Sequence, residues 1–227
     1  SSIIHTIDYE DNRRRFISHS NLLDSAYIVK DGDKSFPRIY GLGATLNDQT
    51  SSWNLKNTIG LSLREGFQDW AKFGLTAFVS LEKRRFKLDP RIEGLDYGEY
   101  GRGPNFSVDN VDLNNLPKEK IYDEFSTYIG AELSKRMGSI LTYNARGELC
   151  LIGSDVGEFR ATGDLQTRFK LFRKEATIKA NAYIKNVTPA FYMRHNHSRY
   201  FWWDNDQFKK IQQIYVGGEV NLESTGT

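Results

Sequence analysis

The sequence has 227 residues, of which 39% are hydrophobic, 13% aromatic and 26% charged, with a formal net charge of +2. This balance gives no bulk electric field that would favour a nucleic acid or a strongly charged partner. A single cysteine, Cys150, excludes an internal disulfide framework and a cysteine-rich zinc site. The sequence contains no long apolar run, which excludes a transmembrane helix but not a membrane barrel made of alternating strands.

Eight segments show the period-two alternation of apolar and polar residues that is typical of β-strands. In chain order they cover residues 3–17, 53–64, 72–84, 124–133, 141–151, 159–171, 176–185 and 213–222. The first of them runs into the basic stretch Arg13-Arg14-Arg15. The sequence therefore predicts an all-β fold, and no linker divides residues 1–227 into domains.

The hairpin predicted from residues 159–171 and 176–185 shows the alternation most clearly. One side carries small and apolar residues among scattered aromatics, whereas the other side carries charges of both signs. Each strand is longer than the usual length of about five or six residues and long enough to cross a bilayer at a tilt. Taken alone, the hairpin fits either a transmembrane barrel or a soluble antiparallel sheet with one wet face.

The connections between the predicted strands distinguish these two folds. Along the chain they run long (18–51), short (65–69), long (87–120), short (135–139), medium (153–157), short (173–175) and long (186–210). Short turns at every second connection are typical of outer-membrane barrels, which have short periplasmic turns and longer extracellular loops. A soluble sandwich has no reason to sort its loops in this way. We therefore expect an antiparallel, up-and-down transmembrane β-barrel in the bacterial outer membrane, with about eight strands in this segment.

In such a barrel one side of each strand faces lipid and the other faces the lumen. The residues predicted to line the pore are Lys72, Glu82, Arg84, Glu132, Arg146, Glu148, Arg160, Asp164, Arg168, Lys179, Lys185 and Glu219. The residues predicted to face lipid are Leu61, Leu63, Leu75, Val79, Ile129, Leu165, Ile178, Ala180, Ile184 and Val216.

Three stretches carry a resemblance to a known family: Ile4-His5-Thr6-Ile7-Asp8-Tyr9-Glu10, residues 53–63 (WNLKNTIGLSL) and residues 199–206 (RYFWWDND). Together they resemble the putative porin family of Bacteroidetes outer membranes. The resemblance implies an outer-membrane channel without catalytic residues, and a barrel larger than this chain alone could make. The sequence would then be part of a longer protein.

The main functional hypothesis is a porin-like channel for passive diffusion of small polar solutes. The alternative is a non-conducting barrel that serves as an anchor or docks a protein partner through its extracellular loops. The expected partners are outer-membrane lipids and lipopolysaccharide, small polar solutes and, in the alternative, a protein; no nucleic acid and no cofactor is expected. A membrane-embedded hydrolase is disfavoured, because all four histidines lie in the first strand or in loops and no G-x-S-x-G motif is present.

Two features of the loop at 186–210 admit a chemical role. His195 and His197 are spaced for a metal site, but no cysteine or third histidine lies nearby, which favours a solvated loop. The aromatic run Tyr200, Phe201, Trp202 and Trp203 could stack on a sugar or a partner, although fixing the loop to the barrel rim is the favoured interpretation.

Two charged features on the strands also have alternative interpretations. The group Glu132, Arg146, Glu148, Arg160 and Asp164 could act in acid–base chemistry, but a lumen lined by compensating charges explains it more simply. The stretch Arg13-Arg14-Arg15 fits contact with lipid phosphates and an exposed strand extension equally well.

Overall fold

The computed structural model describes residues 1–18, 46–67, 72–88, 119–138, 140–171, 174–197 and 202–222. The strands are β1 (Ser2–Ser18), β2 (Leu46–Leu63), β3 (Gly74–Leu88), β4 (Lys120–Lys135), β5 (Leu141–Gly153), β6 (Phe159–Leu171), β7 (Lys174–Val187), β8 (His195–His197), β9 (Trp202–Asp204) and β10 (Ile211–Leu222). One short helix, α1 (Phe191–Arg194), precedes β8. Among these described residues, no helix is long and apolar enough to span a membrane.

Eight of the strands form one antiparallel up-and-down sheet in the order β1-β2-β3-β4-β5-β6-β7-β10. The small strands β8 and β9 form a separate two-stranded sheet within the connection between β7 and β10. The predicted all-β, up-and-down architecture is confirmed. Within the described part of the chain, β1 and β10 are the two edges of the sheet and do not pair with each other, so the sheet is not closed.

The connections are sorted between the two ends of the sheet, as predicted. The connections between β2 and β3, β4 and β5, and β6 and β7 are short and lie at one end, here named the turn end. Those between β1 and β2, β3 and β4, β5 and β6, and β7 and β10 lie at the other, the loop end. Two predicted loops were drawn too wide: β2 already begins at Leu46, and β3 and β4 extend to Leu88 and Lys120. The remaining parts of these loops, 19–45 and 89–118, lie outside the described residues.

The register gives the sheet two chemically opposite faces. Residues directly opposite in an antiparallel pair share a face, and Val79 lies opposite Ile59 on one side and Ile129 on the other. We name the face of Val79 the outer face, and the face of Ser80, which lies opposite Thr58 and Tyr128, the inner face. All ten residues predicted to face lipid lie on the outer face.

On β3 and β4, exposure distinguishes the two faces in the reverse of the soluble pattern. On their outer face, Val79 is 46% exposed and Ile129 is 41% exposed, whereas on their inner face Ser80 is 1% and Tyr128 2% exposed. A soluble sheet buries its apolar side, because burial of apolar area stabilises the fold. On these two strands the apolar side is the uncovered one, which is the arrangement of a sheet that faces lipid.

Candidate functional site

The inner face gathers the residues predicted to line the pore. The register places Arg146 directly opposite Glu132. It places Arg160 directly opposite Glu148 on one side and Lys185 on the other. Eleven of the twelve predicted residues lie on this face within strands: Glu82, Arg84, Glu132, Arg146, Glu148, Arg160, Asp164, Arg168, Lys179, Lys185 and Glu219. The twelfth, Lys72, precedes β3 and lies outside the sheet. That the inner face lines a pore stays a prediction.

Charges of the central inner face lie in pairs. The Arg160 guanidinium lies 2.9 Å from a Glu148 carboxylate oxygen and 3.4 Å from one of Glu158. Arg146 lies 3.7 Å from Glu132, which also accepts a hydrogen bond from Asn144 at 2.7 Å. This pairing agrees with the interpretation of compensating charges, because each of these carboxylates has a guanidinium beside it that balances its charge.

An aromatic residue interrupts this charged surface. Phe78 lies on the inner face between Gly60 and Gly130, its direct partners on β2 and β4. A Cβ atom at Gly130 would overlap the Phe78 ring, so this position requires glycine for space. The Arg146 guanidinium lies over the same ring, 4.4 Å from its centroid. The ring therefore fixes one of the cations on the inner face by a cation–π contact.

The turn between β5 and β6 folds onto the inner face at the loop end. Its Asp155 side chain is buried and accepts hydrogen bonds from Tyr128 at 2.9 Å, from Ser126 at 3.0 Å and from Arg84. Burial on its own would raise the pKa of the Asp155 carboxyl. The Arg84 charge and the donated hydrogen bonds outweigh burial and hold this pKa below its ordinary value. Asp155 is therefore an ionised, buried anchor for the turn.

The connection between β7 and β10 also folds onto the inner face at the loop end. We name residues 188–210 the β7–β10 segment. Its Phe191 ring stacks on Phe86 of β3 with centroids 3.7 Å apart, and Leu88 and Tyr122 complete the apolar cluster. Arg194 forms an ion pair with Glu124 of β4. The same Glu124 lies 2.9 Å from Arg84, so ion pairs link this segment to the Asp155 turn.

The prediction that His195 and His197 lie in a solvated loop was wrong. Each histidine is 2% exposed, because β8 pairs with β9 and brings the carboxylate of Asp204 against both rings. Asp204 accepts hydrogen bonds from His195 at 2.7 Å, from His197 at 2.8 Å and from Tyr122 at 3.1 Å. Burial would raise the Asp204 pKa, but the hydrogen bonds from the two histidines and Tyr122 hold it below its usual range. In the described part of the chain, no group of three or more His, Cys, Asp and Glu side chains is arranged to hold a metal ion.

The aromatic run after His197 is described in part. Trp203 donates a hydrogen bond from its indole nitrogen to the Met193 carbonyl at 3.0 Å, within the same segment. Trp202 lies in β9, while Tyr200 and Phe201 lie outside the described residues. The Trp203 contact is the kind expected if these aromatics fix the segment in place rather than bind a sugar.

Sequence reasoning missed the two folded-back connections. It treated residues 186–210 as an open loop and gave no role to Asp155, Glu124, Phe191 or Arg194. One signal was present: Phe86, Leu88 and Tyr122 have the parity of the inner face, yet they are apolar. Apolar side chains at the loop end of a polar face indicate that something covers them.

A model of the family described as "Putative porin" matches residues 1–227, the whole chain. The chain belongs to this putative porin family. Membership, together with the exposed apolar outer face, favours an outer-membrane β-barrel. No curated protein and no solved structure matches this chain.

Proposed function

We propose that this porin forms part of the wall of a channel in the bacterial outer membrane, through which small polar solutes diffuse passively. The contrast between the two faces of the sheet carries the proposal. Long strands present apolar residues such as Val79 and Val216 outward, while charged side chains and their counterions occupy the inner face. A wall with lipid on one side and water on the other requires this distribution, since charge is tolerated only where it meets water or a partner.

The inner face offers a binding surface for polar solutes at its turn end. A recess of about 660 Å³ is lined there by inner-face side chains that include Asn144, Asp164, Lys179, Asn181, Tyr215 and Glu219. Charges of both signs stand beside amide and phenol groups, so a passing solute finds hydrogen-bond donors and acceptors throughout. Such a lining favours small, polar or zwitterionic solutes over apolar ones.

A conducting channel requires more strands than the eight of this sheet. The edges β1 and β10 are not paired with each other in the described structure, and an unpaired edge in lipid leaves backbone groups without hydrogen bonds. A barrel of about eight strands, if closed, would have an interior that its own side chains fill. We therefore propose that additional strands pair with β1 and β10 in the complete barrel.

Single-channel recording of the full-length protein in planar bilayers tests the proposal. We expect discrete conductance steps, and a reversal potential across a salt gradient that depends on the inner-face charges. A protein that inserts and folds but shows no conductance would refute the channel. Folding would be established separately by heat-dependent migration in gel electrophoresis, so that a failed insertion is not read as a closed pore.

The alternative of a non-conducting barrel is favoured by one specific observation. The β7–β10 segment and the Asp155 turn both cover the inner face at the loop end, where a solute would enter. If these contacts occlude the complete barrel, its function would lie in docking a partner on the loops. Weakening the cover distinguishes the alternatives: Phe191→Ala should raise conductance if the segment narrows an open channel, and leave zero conductance unchanged if the barrel has no channel.

A further inference from the structure

The outer face carries a basic cleft at its loop end, beyond the apolar band. Register places Arg13 opposite Ser51 and Ser51 opposite Lys87, so these residues form one row across β1, β2 and β3. The next row toward the apolar band contains Trp53 opposite Arg85. These residues line an open cleft of about 790 Å³. The inner-face function proposed above leaves this cleft without a role.

Cations outnumber carboxylates around the cleft. Its outer-face cations are Arg13, Arg15, Arg85 and Lys87, and the carboxylates beside them are Asp11, Glu119 and Asp123. The ion pairs are exposed: Arg13 lies 3.6 Å from Asp11 with 83% of its side chain exposed, and Lys87 lies 3.2 Å from Glu119. Exposed pairs of this kind contribute little to stability, so their cations remain able to bind another anion.

The position of the cleft identifies the kind of anion. Trp53 lies at the margin of the cleft that is nearer the apolar band. The Arg85 guanidinium lies 5.8 Å from the centroid of the Trp53 ring. Further along the same face of β2, beyond Asn57, come Ile59 and Leu61, which are 59% and 52% exposed and belong to the apolar band. A tryptophan between a cationic row and an apolar band marks the depth of a membrane interface. An amphiphile can place its charged group on the cations while its chains follow the apolar band.

We propose that this cleft binds the phosphate group of an anionic lipid in the adjacent leaflet. Arginine guanidinium groups recognise phosphate oxygens through charge-assisted hydrogen bonds, and Lys87 adds a point charge. Adjacent strands lie about 5 Å apart, so Arg13 and Lys87, two strands apart, can contact one headgroup from both sides. The inference goes beyond the proposed channel and does not depend on whether the barrel conducts.

Fluorescence quenching by brominated lipids tests the site. The full-length protein is reconstituted in phosphatidylcholine vesicles that contain a minor fraction of brominated phosphatidic acid or, in the control arm, brominated phosphatidylcholine. The Trp53→Phe variant gives the fluorescence of the other tryptophans. Subtracting its signal from that of the wild type gives the quenching of Trp53. We expect brominated phosphatidic acid to quench Trp53 more strongly. Arg13→Gln with Lys87→Gln should lower this preference about fivefold for each cation removed, which corresponds to about 1 kcal/mol each.

The matched control removes two cations of the same face at the other end, Lys135→Gln with Lys174→Gln, and should leave the preference unchanged. Equal quenching of Trp53 by the two brominated lipids, in the protein that keeps all its cations, would overturn the proposal. An equal loss of preference in the control pair would reduce the effect to net charge and also overturn it. Displacement of the lipid by inorganic phosphate added to the buffer would assign the cleft to a soluble anion instead.

Discussion

A single arginine placed on either face of β7 tests the orientation of the sheet. Ala180 lies near the middle of β7, exposed on the outer face between Leu165 of β6 and Gly218 of β10. In a membrane its side chain would be close to the bilayer midplane, where an arginine on the lipid face costs about 2–4 kcal/mol. Ala180→Arg should therefore lower the free energy of unfolding by that amount.

The neighbouring position supplies the control within the same strand. Asn181 lies on the inner face directly opposite Asp164. An arginine there meets water and a carboxylate, and an exposed ion pair contributes about 0–1 kcal/mol, so Asn181→Arg should change stability by less than about 1 kcal/mol. The structure thus predicts a difference of about 2–3 kcal/mol between two identical side chains placed one residue apart.

Urea titration of the protein folded in phosphatidylcholine vesicles measures both variants. Equilibrium is confirmed by coincident unfolding and refolding curves, because a barrel that unfolds irreversibly yields no free energy. The titration is repeated in detergent micelles, which adapt around a charge more easily than a bilayer does. There the loss of unfolding free energy caused by Ala180→Arg should be smaller. If Asn181→Arg proved the more destabilising variant, the assignment of the two faces, and the channel with it, would be refuted.

Three further predictions concern transport, acid sensitivity and orientation. In a conducting barrel, joint replacement of Arg160 and Arg168 by alanine should shift the reversal potential toward cation selectivity without unfolding the protein; an unchanged potential would remove this wall from the permeation path. Asp155→Asn should lower the unfolding free energy by about 1–3 kcal/mol at neutral pH, because Arg84 loses one of its two carboxylate partners and keeps Glu124. The depressed Asp155 pKa means that the wild type has this stability above the ordinary carboxyl pKa and loses it on acidification, so urea midpoints of the two proteins should converge as pH falls. Protease added to intact cells should cut within 89–118 and spare the turn end; cutting confined to the turn end would reverse the orientation.

The main sheet could be predicted from the sequence because its determinants are local. Alternation with period two assigns each residue to a face, and a one-residue slip would move every apolar side chain to the wrong side. Short turns then fix which strands pair, as between Leu171 and Lys174, where β6 meets β7. The face of Arg160 follows from the alternation, whereas its placement opposite Lys185 could not be predicted, because the turn was predicted at 173–175 although β7 already begins at Lys174.

The covered part of the inner face could not be predicted in the same way. His195 and His197 owe their burial to Asp204 across the β8–β9 pair and to Tyr122 on β4. The contact with Tyr122 joins distant parts of the chain, the contacts with Asp204 depend on the β8–β9 pair, and no periodicity of the sequence indicates either. The buried Asp155 is a similar case, since its donors Ser126 and Tyr128 lie on another strand. Pattern analysis assigns polar residues in connections to solvent, and both errors have that cause.

The folded-back connections bear on the width of the complete barrel. A closed barrel of about eight strands has an interior just wide enough for its own side chains. The inner face of this sheet must also accommodate backbone, because the Asp155 turn reaches Tyr128 near the middle of β4 and the β7–β10 segment stacks Phe191 on Phe86. Closing β1 directly onto β10 would bring the opposite wall against these segments. Further strands between β1 and β10 would widen the barrel and remove this conflict. They would also pair with the backbone N–H and C=O groups of the two sheet edges, which lipid cannot do.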